Sequence, residues 1–175
     1  MKVPTVRRLD AIDTREFEGL CALLIDCVAG GASVNFMWPM TRDKAEKFWN
    51  GVAAGLGRAD RALIIAQDAG GEILGCAQAI WATPENQPHR ADIAKMLVRR
   101  SARRRGVGAR VLAAAERAAF DAGKTLLVLD TASAEAERLY ERAGWQRVGT
   151  VPKYALLPDG PLCSTVFYYK DLSGR

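Results

Sequence analysis

A chain of 175 residues that is 49% hydrophobic can bury one core and is too short for two ordinary domains, so a single domain over 1–175 is expected. It holds no run of about 18 uncharged apolar residues. Its start, Met1-Lys2-Val3-Pro4-Thr5-Val6-Arg7-Arg8, lacks the apolar centre of a secretory leader, so a cytoplasmic protein with no membrane partner is expected. The net charge of +5 admits nucleic acid, a membrane surface or an anionic small ligand. Cys21, Cys27, Cys76 and Cys163 show no C-x-x-C spacing and no histidine cluster. Four buried, reduced thiols and no metal are expected.

In chain order, a strand over about 3–9 leads to a helix over 14–29, opened by Asp13 with Glu16 as a capping pair. Gly30 to Met40 joins it to a helix over 41–57, capped by Thr41 with Pro39 just ahead. Strands over 61–67 and 72–81 flank Asp68-Ala69-Gly70-Gly71 and read as a hairpin. The loop 83–88, followed by the only histidine, His89, leads to a strand over 90–98. Helix 107–122 carries Val111, Leu112, Ala115, Ala118, Ala119 and Ala122 on one face, and strand 125–130 is almost unbroken apolar, as parallel sheets require. Helix 134–143 stops at Gly144, a suitable left-handed residue, with Trp145 making the accompanying apolar contact. Strands over 146–153 and 162–170 complete an α/β chain with a mixed sheet.

The stretch from Val98 to Gly108 couples a strand end to a glycine turn and a helix start. Glycines let the backbone turn tightly and bring successive N–H groups to face one anion. The helix start adds unpaired donors and the positive end of its dipole. Arg99, Arg100, Arg103, Arg104, Arg105 and Arg110 concentrate the charge at this one turn. A nucleic-acid face extends further and interleaves stacking aromatics, so an anionic small ligand is expected rather than a polymer.

The series Val98, Arg103, Gly106 and Gly108 resembles the acyl-coenzyme-A motif of the GNAT N-acetyltransferases, V/I-x-x-x-x-Q/R-x-x-G-x-G/A. Ala136-Glu137-Arg138-Leu139-Tyr140-Glu141-Arg142-Ala143-Gly144-Trp145 is similar to the family's later Leu-Tyr-Glu helix. A narrower likeness is to tabtoxin resistance acetyltransferases. It runs through Gly30-Gly31-Ala32-Ser33-Val34 with Phe36-Met37, Leu129-Asp130-Thr131, Arg147-Val148-Gly149, Pro158-Asp159-Gly160, Tyr168 and Lys170. The resemblance implies a mostly antiparallel mixed sheet of about seven strands with about four flanking helices. A central parallel pair, the fourth and fifth strands, would be splayed at the cofactor site. Acetyl-CoA is the cofactor it implies. Main chain at Met96, Leu97 and Val98 would hold the pantetheine arm. The turn of Arg103, Arg104, Arg105, Gly106, Val107, Gly108 and Ala109 would hold the pyrophosphate.

Tyr140 shares a helix face with Ala136, Leu139 and Ala143, which by itself describes a core aromatic. The resemblance assigns it as the proton donor to the coenzyme A thiolate. Ser133 stands where many relatives carry a cofactor-binding asparagine and serves equally well as a helix N-cap. For the base, Asp92 precedes Val98 by six residues, a position where several family members place a carboxylate, and equal parity puts both on one side of the strand. Asp130, at the C-terminal end of the next strand, competes with it. Ser33, Asn35, Phe36, Trp38, Trp81, Tyr154 and Asp159 are candidates for the acceptor site, each aromatic serving equally as core.

The expected activity is transfer of an acetyl group from acetyl-CoA to a primary amine of a small molecule. An amino-acid-like toxin or antibiotic such as a tabtoxin-type β-lactam is the narrower expectation. Acetylation of a protein N-terminus or lysine, a silent acyl-CoA-binding regulator and a basic nucleic-acid module stay open as alternatives. A homodimer is also compatible with the sequence.

Overall fold

Two strands of the first half, 61–67 and 73–80, are buried on both faces, so helices must cover the sheet on both sides. The computed structural model describes residues 3–81 and 84–174. In order they are β1 (Thr5–Leu9), α1 (Thr14–Ala29), α2 (Arg42–Gly57), β2 (Arg61–Gln67), β3 (Ile73–Ile80) and β4 (Arg90–Val98). Then follow a 3₁₀ turn (Arg100–Ala102), α3 (Val107–Asp121), β5 (Leu126–Thr131), α4 (Ala134–Arg142), β6 (Gln146–Leu156) and β7 (Leu162–Asp171). The sheet runs β1-β2-β3-β4-β5-β7-β6, antiparallel throughout except for the β4–β5 pair. This is the expected α/β class. Thr83, at the start of the expected loop, lies outside the described residues. No helix among the described residues is long and apolar enough to cross a membrane.

Each sheet face has its own core. Leu63, Ile65, Cys76 and Leu97 pack under α1 and α2, whereas Ile64, Ala77, Ile93, Leu127 and Leu129 pack under α3 and α4. The Asp13–Glu16 capping box and the Thr41 cap form as expected. Gly144 takes φ +82°, and the Trp145 N–H reaches the Tyr140 carbonyl at 3.0 Å. Cys21, Cys27 and Cys76 are buried free thiols, but Cys163 is only half-buried, because β7 near Leu162 lies at the open rim.

Two irregularities in β4 shape the site. β4 pairs with β5 only through Arg90–Asp92 against Leu126–Val128, and the strands part beyond, while β5 stays registered with β7 to Thr131. The second irregularity is a bulge against β3. Val98 pairs with Gly75 and Leu97 with Cys76, but the next partners are Ala94 and Gln78. Lys95 and Met96 thus oppose Ala77 alone, and Lys95 takes a left-handed φ of +49°. The extra residue reverses facing along the strand. Asp92, opposite Ile80 and in step with Ala94 and Gln78, therefore faces α1 and α2, whereas Val98 faces α3. Equal parity of Asp92 with Val98 does not place them on one side.

Behind the sheet, the Lys170 ammonium donates to Glu116 Oε2 and to the Ala143 carbonyl, both at 2.6 Å, and the Trp145 indole donates to Glu116 Oε1 at 2.7 Å. This buried network joins β7, α3 and the end of α4, the helix that carries Tyr140. Lys170→Met removes one charge and strands its carboxylate in the core, so stability should fall by about 3–5 kcal/mol. Urea unfolding measures the loss; a change below about 1 kcal/mol would show that the network does not hold α4.

Candidate active site

The turn after β4 is tied down before it opens. The Arg99 N–H donates to the Leu74 carbonyl at 2.9 Å, and its guanidinium reaches the Ile73 carbonyl and Glu72, both at 3.2 Å. Arg100 donates through its backbone N–H and its guanidinium to Asp26, at 2.9 and 2.8 Å. Two of the six clustered arginines thus fasten the strand end to α1 and β3.

Gly106 then takes φ +77° and caps α3 without a side-chain bond. A Cβ there would meet nothing within 4 Å, so the glycine is needed for its backbone conformation and faces open space. Without a side-chain cap, the first-turn N–H groups at Val107, Gly108 and Ala109 lack intrahelical partners and remain available to an anion. Gly108 packs closely, with a Cβ there 3.3 Å from Leu139 and 3.6 Å from Val98. Arg103 and Arg104 are exposed at the lip, Arg104 lying 3.5 Å from Glu135 on α4.

From this turn a cleft of about 950 Å³ runs inward where β4 parts from β5. Met96, Leu97 and Val98 form one wall. Ser133 and Tyr140 come from the opposite side, with Asp130 at the end of β5. Ser133 caps α4 by accepting from the Ala136 N–H at 3.3 Å, so one residue is both cap and cleft wall. Tyr140 is only 4% exposed, yet among the described residues its hydroxyl has no hydrogen-bond partner. Its ring packs 5.9 Å from both Trp145 and Tyr168, so it is a core aromatic with its polar end toward the cleft. Burial, and then the charge of Asp130, push its phenol pKa up, which keeps the proton on oxygen.

Asp130 Oδ2 accepts from Thr165 Oγ1 at 2.8 Å. Asp92 is elsewhere. Its two oxygens accept from the Arg90 guanidinium at 2.8 and 3.2 Å, and it does not line the cleft. Burial raises its pKa against the opposing pull of Arg90, and the charge of Asp130 adds to the rise. The bulge separates it from the Val98 side, as described above.

At the inner end stand Ser33, Asn35, Phe36 and Tyr154, four of the seven acceptor-site candidates. Ser33 Oγ lies 3.9 Å from Cys163 Sγ, and Tyr154 meets Phe167 edge-on at 5.6 Å. The other three do not line the cleft. Trp81 lies at the far side of the sheet, its indole donating to the Ala59 carbonyl at 2.7 Å with Arg8 6.0 Å above the ring. Trp38 is 55% exposed; its N–H donates to the Pro158 carbonyl at 2.8 Å. Asp159 occupies the exposed turn closed by the Gly160 N–H on Leu157. Arg105 also falls outside the lining and donates to the Ser101 carbonyl at 3.4 Å.

Several cleft residues were not found from sequence: Lys95, Thr165, Cys27, Arg138 and Arg142. Thr165 shares the Asp130 face of the β5–β7 ladder, so strand parity alone could have found it. Lys95 alternates with Leu97 and reaches the face that carries Asn35 and Phe36, but its spacing alone did not mark that face as a cleft wall.

The arrangement fits acetyl-CoA. An uncapped helix start before an empty Gly106 position, with two arginines at the lip, suits a pyrophosphate. The parted strand edge offers main-chain partners to the pantetheine amides, and the protonated Tyr140 stands inside.

The family described as acetyltransferase (GNAT) matches residues 17–145. An uncharacterized N-acetyltransferase from the hisH-hisA intergenic region of Azospirillum brasilense is 31% identical over 128 residues, 72% of this chain and 74% of that one. A GNAT superfamily phosphinothricin acetyltransferase from Sinorhizobium meliloti, solved with acetyl-CoA, has a TM-score of 0.81 at 15% identity, over 98% of this chain and 89% of that one. The yncA protein of Salmonella typhimurium, solved with its cofactor acetyl-CoA, gives 0.80 at 14% identity, over 98% and 95%. At such identities the two structures speak to fold. The family match over most of the chain, with a relative 31% identical, establishes that the chain belongs to the acetyltransferase (GNAT) family and that its chemistry is acetyl transfer from acetyl-CoA.

Proposed function

We propose that the acceptor is the primary amine of a small molecule, an amino-acid-like toxin or antibiotic of the tabtoxin type. One observation carries the size of the acceptor. The loop between α1 and α2 bonds to the β6–β7 turn through Trp38 N–H and the Pro158 carbonyl, with Ser33 against Cys163 beneath. The neighbouring Met37 and Leu157, with Ser33 and Cys163, line the cleft, so this bridge borders it on a side where a protein segment would need an open groove. The likeness to tabtoxin resistance acetyltransferases supports the amino-acid-like class.

Acetyl-CoA supplies an activated acetyl group as a thioester. Main chain at Met96 to Val98 would hold the pantetheine arm and polarise the thioester carbonyl, while Arg103, Arg104 and the first turn of α3 would hold the pyrophosphate. Asp130 receives the acceptor's ammonium, takes one proton from its nitrogen and passes it to solvent, leaving a lone pair that would bond to the thioester carbon; the nitrogen's second proton leaves to solvent by the same route as the C–S bond breaks. Tyr140 delivers its hydroxyl proton to the departing sulfur and regains one from solvent. Asp130 takes precedence over Asp92 as the base because it lines the cleft with one oxygen engaged, whereas Asp92 is held by Arg90 outside it. Ser133 borders the cofactor as part of the α4 start.

Acetylation of a panel of amino acids, amino sugars and diamines, beside peptides with free N-termini and lysines, tests the acceptor class. Turnover of small amines is expected; turnover of peptides alone would overturn the reading. Tyr140→Phe keeps the ring that fills the core and loses the proton, so kcat should fall about 10²-fold or more. Acetyl-CoA affinity by calorimetry should stay within about twofold, and full turnover would contradict the acid role. Asp130→Asn should depress kcat/KM most at low pH, where the acceptor is protonated, and progressively less as pH rises and free amine appears. Asp92→Asn should follow the wild-type profile; a low-pH defect in Asp92→Asn alone would move the base to Asp92.

A further inference from the structure

Lys95 is a cation placed in the cleft by backbone strain. The bulge gives it φ +49°, a conformation uncommon for a residue with a long side chain. Its ammonium donates to Asn35 Oδ1 at 2.6 Å, and Asn35 is itself left-handed at φ +71°. Phe36 and Phe48 lie with ring centroids 5.8 and 5.6 Å from the ammonium. Among the described residues it forms no ion pair, and an ammonium has three donors of which Asn35 takes one. Beyond Phe36, a neighbouring depression is lined by Lys44 and Lys47, and by Arg61, whose charge is paired with Asp60. Asp130 is the carboxylate of the cleft that acts on Lys95, across the acceptor space from it.

We propose that Lys95 is the anion-binding residue of the acceptor site, and that the acceptor is a zwitterionic amino acid whose carboxylate meets the Lys95 ammonium while its amine lies toward Asp130. This rests on the small-amine reading above and narrows it. The two charges of the acceptor meet the two opposite charges of the cleft, and each site group keeps an unused position for it: two N–H donors on Lys95 and the second oxygen on Asp130. Burial opposes the charge on Lys95, a cost that a bound carboxylate offsets. Asn35 orients the ammonium, and the two phenyl rings keep water from its flank.

The test is steady-state acetylation of the proteinogenic L-amino acids and of each one's carboxamide, which keeps the amine and loses the negative charge. The wild-type protein, Lys95→Met and Lys95→Arg are compared with acetyl-CoA as donor. The wild-type enzyme should favour the free acid by at least about tenfold in kcat/KM, the size of one lost charge-assisted hydrogen bond. In Lys95→Met that ratio should collapse toward one through a raised KM for the acid, and Lys95→Arg should restore part of it. A lysine that only latched the 30–40 loop would lower both series alike and leave the ratio intact, which would overturn the proposal. Acetylation of carboxamides as well as acids by the wild-type enzyme would overturn the anchor and leave the small-amine reading standing. Acetylation of neither series, by a protein that still binds acetyl-CoA, would overturn both.

Discussion

The site depends on β4 being unable to stay paired with β5. Three residues of each strand are in register, and beyond Asp92 and Val128 the strands diverge, β5 remaining with β7 and β4 with β3. A polar main-chain edge left open inside a fold must find another partner. Here the opening coincides with the uncapped start of α3 and with the end of α4, so one cleft collects strand edge, helix terminus and Tyr140. In the proposed mode of binding, the cofactor would complete backbone bonding that the sheet leaves undone along Met96 to Val98.

The bulge at Lys95 and Met96 gives the cleft its second character. A regular strand would have sent Lys95 and Asp92 to alternate faces in step with Val98. With one extra residue, the segment before the bulge is inverted relative to the segment after it, and Lys95 itself turns toward the 30–40 loop. Charges that composition alone would assign to a solvated surface become a cation and a carboxylate lining one cleft, Lys95 and Asp130. Behind the sheet, the Lys170–Glu116 pair and the Tyr168 bonds to Glu137 and Glu141 hold α4 in place. Tyr140 therefore presents its hydroxyl from a rigid support.

What could be read from the residues, and what could not, divides along local and non-local causes. Strand and helix positions followed from apolar spacing and caps, and Gly144 adopts the left-handed backbone that its place after a helix called for, while Gly106, expected to allow a tight turn, is left-handed as well. β6 runs to Leu156, past the expected 153, because it is an exposed edge strand paired across two irregularities and has no alternating pattern to mark its end. Asp92 was misplaced because parity assumes a regular ladder, and a bulge depends on the partner strand. Trp81, a candidate for the acceptor site, does not line the cleft because its position depends on β1 and on Ala59, neighbours that no local pattern names. The arginine cluster read as one anion site divides in space: Arg103 and Arg104 border the cleft, while Arg99 and Arg100 secure the strand end.

Residue-resolved amide hydrogen exchange, with and without acetyl-CoA, tests most directly whether the parted β4 edge and the α3 start are the cofactor's main-chain partners. Amides within 93–98 and at Val107, Gly108 and Ala109 should gain protection on binding, while those shared by β1, β2 and β3 should change little. Protection confined to other segments, with the β4 edge and the α3 start exchanging as in the free protein, would contradict the account.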